Sequence, residues 1–238
     1  MTIYLSFIEN LSLAIILAFG LVLFAPALCS SALAEDSHHA DAKNPWTAET
    51  ALQALKDGNE RVVKGTPIHP NSDQTTKTRL AQEGQFPLAA ILSCSDSRAP
   101  VERIFDLGFG DIFSIRVAGA VPGVDELGSI EYAVEHLGTP LAMVLHHTQC
   151  GAITAAVMGA NESDNINSLL KHLDPVSKLV EKLPPEKRVA AAVATSSVYF
   201  RDRLTTLSPV LANAVKEGRL KLASGVYDIS TGAVSFDD

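Results

Sequence analysis

The chain has 238 residues, 47% of them apolar, which is enough for one sizeable core or at most two small ones. Its formal charge is −8 and no Lys/Arg-rich run occurs, which excludes a nucleic-acid-binding role. Leu11 to Leu28 is almost wholly apolar, interrupted only by Ser12, Gly20 and Pro26, and it ends in Ser30-Ser31-Ala32-Leu33-Ala34. Ala32-x-Ala34 fits the small-residue pattern of signal-peptidase cleavage, so residues 1–34 read as a signal peptide. The stretch before it lacks Lys and Arg and carries Glu9, so an uncleaved single-span anchor is the alternative. Cleavage removes Cys29, leaves no membrane segment and places the mature chain in the periplasm or outside the cell. Residues 35–46 read as a flexible leader, and residues 47–238 as the folded domain.

Thr47 to Lys64 has helical periodicity, with Thr47 as N-cap and Thr50 three residues on. Gly65 to Gln74, with Pro67, Pro70 and Asn71, reads as loop. Pro87 to Ser93 is short and continuously apolar, as in a strand buried on both faces. A short helix at Val101 to Phe105, a strand at Asp111 to Val117, a helix at Glu126 to Leu137 and a strand at Leu141 to Leu145 follow. Further helices are predicted from Ala152, across Lys178 to Arg203 and over Pro209 to Lys216. Leu220 to Tyr227 and Ala233 to Phe236, split by Ser230-Thr231-Gly232, read as a terminal hairpin. Alternating strands and helices predict an α/β fold: a mainly parallel central sheet flanked by helices, with an antiparallel C-terminal edge and an N-terminal helical arm.

Open α/β sheets bind ligands at the carboxyl ends of their strands. Two segments fall there: Cys94-Ser95-Asp96-Ser97-Arg98 and His147-Thr148-Gln149-Cys150-Gly151. Two cysteines in an exported protein first suggest a disulfide. The flanking His147 and Asp96/Arg98 favour a metal instead. Two thiolates and an imidazole suit tetrahedral Zn2+, and three ligands leave a fourth position for water. Neighbouring side chains on a strand diverge, so His147, spaced two residues from Cys150, is the ligand rather than His146. Gly151 is expected to let the chain turn tightly into the next helix, whose N-terminus favours a Cys150 thiolate. Asp96 and Arg98 can pair bidentately, leaving Asp96 oriented to accept a hydrogen bond from a zinc-bound hydroxide. A surface ion pair and a closed structural zinc with His146 as fourth ligand are the plainer alternatives.

These two motifs resemble those of the β-class carbonic anhydrases, and the resemblance extends from Leu52 to Val234. Gly84-Gln85-x-Pro87, Gly110-Asp111-Ile112-Phe113, Arg116-Val117-Ala118-Gly119 and Gly128-Ser129-Ile130-Glu131-Tyr132 support it. The resemblance implies reversible hydration of carbon dioxide to bicarbonate and a proton by a zinc-bound hydroxide, with Asp96 and Arg98 as the orienting dyad. It implies one Zn2+ per subunit, a homodimer or homotetramer, and Gln85, Phe113, Tyr132 and Gly151 as the substrate-facing residues, drawn partly from a second subunit. A related zinc hydrolase of carbon disulfide or carbonyl sulfide would carry the same site. This chain departs from the family at His146, where Gly is frequent, and at Val117, where Asn is frequent. Ile91 stands where some members carry the Trp of an inhibitory bicarbonate pocket, so bicarbonate-driven closure of the site is not expected.

Overall fold

The protein is represented by a computed structural model that describes residues 44–237. Residues 1–34, read as a signal peptide, and nearly all of the stretch read as a leader therefore lie outside the described residues. The leader's last three residues do not: Asn44 is buried and its Nδ2 donates to the carbonyls of Pro87 (2.9 Å) and Leu137 (3.2 Å). Asn44 thus packs against the residues that follow Thr47, because those carbonyls need a donor once covered.

Helix α1 (Ala48–Val63) starts at the predicted cap, where Thr50 N donates to Thr47 Oγ1 (3.2 Å) and Thr47 N donates to Thr50 Oγ1 (3.0 Å). It buries Ala51, Leu52 and Leu55 on one face; each leucine stabilises by roughly 1.5–3 kcal/mol. Gly58 on that face is dictated by closeness, because a Cβ there would lie 1.8 Å from the Phe105 carbonyl oxygen. Helix α2 (Gln74–Glu83) starts at the last residue of the predicted loop and fills a stretch given no element, capped by Asp73, whose Oδ1 accepts from Thr76 N (2.8 Å).

Strand β1 (Ala89–Ser93), helix α3 (Val101–Ile104), strand β2 (Ile112–Arg116), helix α4 (Val124–Leu137) and strand β3 (Leu141–His147) follow. Then come helices α5 (Gly151–Met158), α6 (Asp164–Lys171), α7 (Asp174–Val180), α8 (Pro185–Leu207) and α9 (Pro209–Lys216), and strands β4 (Lys221–Tyr227) and β5 (Val234–Asp237). The sheet order is β2-β1-β3-β4-β5. β4 pairs parallel with β3, from Leu141↔Lys221 to His147↔Tyr227. The antiparallel edge is therefore β5 alone, because helices α5–α9 return the chain to the amino end of the sheet before β4 begins. Among the described residues no helix is long and apolar enough to cross a membrane.

Two apolar layers cover the sheet. Leu141, Met143 and Leu145 face one layer, with α1 and α3. Ala142 and Val144 face the other, with α4, α8 and α9. This alternation fixes where the two histidines at the end of β3 point.

Asn59 joins three parts of the first layer. Its Nδ2 donates to the carbonyls of Ile104 (3.0 Å) and Gly232 (2.9 Å), and its Oδ1 accepts from Val234 N (2.9 Å). Asn59→Ala strands these groups and is expected to cost about 2–3 kcal/mol in urea unfolding. An unchanged midpoint would show that the pin between α1 and the C-terminal turn contributes nothing.

Candidate functional site

The parallel pairing sets the geometry. Ser93 stands opposite Arg116 on one side and Leu145 on the other. Three strands therefore end at nearly one level, and the residues just beyond them meet. Cys94 leaves β1, His147 closes β3, and Cys150 caps α5 three residues later.

The Cys94 and Cys150 sulfurs and a His147 ring nitrogen lie within 4.8 Å of one another, and all three residues are buried. His147 Nδ1 lies 2.8 Å from the Thr148 carbonyl. A carbonyl only accepts, so Nδ1 carries a proton and Nε2 is the nitrogen left free to bind a metal. That Nε2 is buried and has no hydrogen-bond partner. An orphaned imidazole nitrogen beside two buried thiols fits Zn2+, which takes S and N donors and releases the lone pair from its desolvation cost. Cys94 and Cys150 are free thiols, not a disulfide.

Electrostatics favour the same reading. The Cys94 thiol is held well below its ordinary range, chiefly by the hydrogen bond from Cys150, with His147 and two amides adding to it against burial. Cys150 is pushed up by the same contact and by burial. The opposite shifts of the two neighbouring sulfurs mark a donor pair that a divalent cation would neutralise. Burial works against a charged His147, but contacts with Cys94 and the Thr148 carbonyl outweigh it and raise its pKa.

Asp96 and Arg98 pair as expected. Arg98 Nε donates to Asp96 Oδ1 (2.9 Å) and its second guanidinium nitrogen to Oδ2 (2.8 Å). The Arg98 amide also donates to Oδ1 (2.9 Å). Asp96 Oδ2 lies 3.9 Å from His147 Nε2, so the held carboxylate borders the ligand cluster. Arg98's hydrogen bonds keep the Asp96 carboxyl far below the usual carboxylate range.

Arg116 opens one of the stretches that carry the resemblance, but the sequence alone assigns it no role at the site. Its Nε donates to the Cys94 carbonyl (3.0 Å) and its terminal nitrogen to the Asp96 carbonyl (2.7 Å). It thereby clamps the segment carrying both Cys94 and the dyad. Its signal was its place: an arginine at the carboxyl end of the strand beside β1.

Other expectations are corrected or relocated. Gly151 does not make the tight turn: a Cβ there would meet nothing within 4 Å. The left-handed residue is Gln149, with φ 58°, which points Cys150 inward. His146 diverges from His147, as alternation requires, and stacks on Phe200 at 5.9 Å. Burial pushes the His146 pKa down to about 4. Gln85 precedes β1 and so lies at the opposite end of that strand from Cys94. Five residues at about 3.3 Å each put about 16 Å between those ends. Phe113 pairs with Ala90 in the amino half of the sheet, and its ring lies 6.0 Å from Tyr132, which is 48% exposed. Within one chain, then, Gln85, Phe113 and Tyr132 stand apart from the ligand cluster.

Comparison with known proteins agrees with this geometry. The carbonic anhydrase family profile matches residues 89–234. Carbonic anhydrase 2 of Mycobacterium tuberculosis is 50% identical over 197 residues, covering 79% of this chain and 92% of that protein. A carbonic anhydrase of Mycolicibacterium smegmatis is 33% identical, covering 77% and 90%. Among solved structures, the β-carbonic anhydrase CafA of Aspergillus fumigatus superposes with a TM-score of 0.62 at 26% identity, covering 79% of this chain and 91% of that one. Motif, fold and relatives converge: the chain belongs to the β-carbonic anhydrase family.

Proposed function

We propose that this chain hydrates carbon dioxide reversibly to bicarbonate and a proton at one zinc ion held by Cys94, His147 and Cys150. The observation that carries the reading is the buried, unpartnered Nε2 of His147 beside two thiols and 3.9 Å from a pinned carboxylate. When bound, zinc supplies a Lewis acid that lowers the pKa of a coordinated water. The chain's residues do the rest. Asp96 is ionised and acceptor-only, so it takes a hydrogen bond from the attacking oxygen and fixes the direction of its lone pair. Arg98 holds Asp96 at the border of the cluster and keeps it from becoming a fourth ligand. Arg116 holds the backbone that carries both. Burial of all three ligands excludes competing water.

The substrate pocket in this proposal is completed by a second copy, through Gln85, Phe113 and Tyr132. The wide separation of these residues from Cys94 within one chain, and the position of β2 at the sheet edge, support that reading. Gly151, exposed at the start of α5 beside Cys150, stays in the substrate-facing set. Residues 1–34 supply the export signal, which places the mature enzyme in the periplasm or outside the cell.

Three measurements test the proposal. Stopped-flow hydration by Asp96→Asn should fall roughly 100-fold while zinc stays near one per chain. Wild type that holds zinc yet hydrates no carbon dioxide would sink the reading. The second is a pH profile. Two thiolates donate charge, so the titration that generates the nucleophile should be displaced to the alkaline side relative to a site of neutral ligands. Asp96 adds no limb there, because its depressed pKa keeps it ionised down to pH values far below that window. Hydration should therefore rise between pH 6 and 9, and a flat profile would contradict it. Third, Ile91 is fully buried where a bicarbonate-responsive Trp would stand. Crystals soaked in bicarbonate should keep Asp96 on Arg98; Asp96 on the metal would overturn this.

A further inference from the structure

We infer that His146 is a positioning residue for the zinc site, its ring anchoring the Ala118–Ala120 turn so that the Gly119 amide stays on the Cys94 sulfur. The inference rests on the zinc reading above.

His146 is 1% exposed, on the opposite face of β3 from His147. Its Nε2 lies 2.9 Å from the Gly119 carbonyl. That oxygen can only accept, so Nε2 carries the proton. Nδ1 is then the lone-pair nitrogen, and it is buried with no partner. A purely apolar ring could stack on Phe200 equally well without stranding a nitrogen, and a stranded polar atom destabilises. Packing alone therefore gives no reason for a histidine here. The hydrogen bond to Gly119 does.

Gly119 is poorly placed to hold itself. Its φ is +77°, and Ala120 after it has φ 48°. Two successive left-handed residues are a conformation that surrounding contacts must impose. The Gly119 amide donates to Cys94 Sγ at 3.4 Å, and the Asp96 amide is the other backbone donor, at the same distance. One residue thus takes the histidine's hydrogen on its carbonyl and gives its own to the ligand sulfur. Amide donors draw electron density from a thiolate, and such partners of metal ligands tune affinity and electronic character.

The test compares zinc-loaded wild type with His146→Phe and His146→Gln. Phe keeps the ring and loses the donor; Gln places an amide nitrogen near the position of Nε2. Zinc affinity is read by competition with a chromophoric chelator. The sulfur-to-metal charge-transfer band is read after cobalt substitution. His146→Phe is expected to bind zinc at least about 10-fold more weakly. Its cobalt band should move to longer wavelength, because the sulfur is more electron-rich. His146→Gln should restore both. Wild-type affinity and band in the Phe variant, or equal loss in both variants, would overturn the proposal. If the variants do not fold, a long-range nitrogen–proton NMR spectrum of wild type decides. The Nε2–H tautomer at His146 supports the anchor, and an Nδ1–H tautomer or a doubly protonated ring defeats it. Wild type that holds no zinc would sink the zinc reading and this proposal together. Zinc-loaded wild type matched by the Phe variant would sink this proposal alone.

Discussion

The register between β1, β2 and β3 is the constraint on which the site depends. Ser93, Arg116 and Leu145 lie side by side across three parallel strands. Because the pairing is parallel, all three chains leave the sheet at the same end. Cys94, Arg116 and His147 therefore arrive together without any long side chain having to reach. A one-residue slip of β3 would turn His147 toward the face where His146 now stacks on Phe200. The buried, two-layer packing of β3 makes such a slip expensive, since all seven of its residues are buried. The hydrophobic patterning of the strand and the chemistry of the site are thus one requirement, satisfied by the same residues.

Where the sequence was legible, it was so for the same reason. The continuously apolar runs at Pro87 to Ser93 and Leu141 to Leu145 mark strands covered on both sides, and covered strands mark where their carboxyl ends must fall. Helix α2 was illegible because none of its residues is buried, so it carries no apolar stripe to read. Helix α6 buries only Leu170. The parallel direction of β4 could not be read from its own residues; it follows from where five helices return the chain. At the site, the thiols, the imidazole and the dyad were legible because their residue types have few other uses in that arrangement. Arg116 was less legible because an exposed arginine at a strand end usually means nothing, and only the register gives it carbonyls to hold. Gln149 was illegible because a glycine stood two residues on and offered the simpler explanation for the turn.

Among the described residues, two of the five non-glycine residues with positive φ, Gln149 and Ala120, lie in the loops beside the ligands. Gln149 directly precedes Cys150, and Ala120 directly follows Gly119, whose amide donates to Cys94 Sγ; all three have positive φ. For Gln149 and Ala120 this costs on the order of 1–2 kcal/mol each. Burial of the surrounding core offsets that cost: Ala120 and Cys150 are fully buried, and Leu173 and Ile153 are nearly so. A strained turn in such a setting has little freedom to relax. At Gly119 the turn directs the amide hydrogen at the Cys94 sulfur.

The proposed mechanism also divides labour between the two ends of the sheet. Metal ligands and the orienting dyad gather at the carboxyl end, where polar loops leave the strands. Gln85 and the Phe113–Tyr132 pair sit toward the amino half, along an edge strand with an unpaired side. Nothing within one chain can close about 16 Å of sheet between these groups. Carbon dioxide is small and uncharged, so it needs apolar walls beside the metal more than charged contacts. A second copy that covers the β2 edge would bring such walls from its own amino half to the ligand cluster. It would at the same time bury an exposed Tyr132 and an open strand edge, both unfavourable features in a monomer. Assembly and catalysis would then be driven by the same surface.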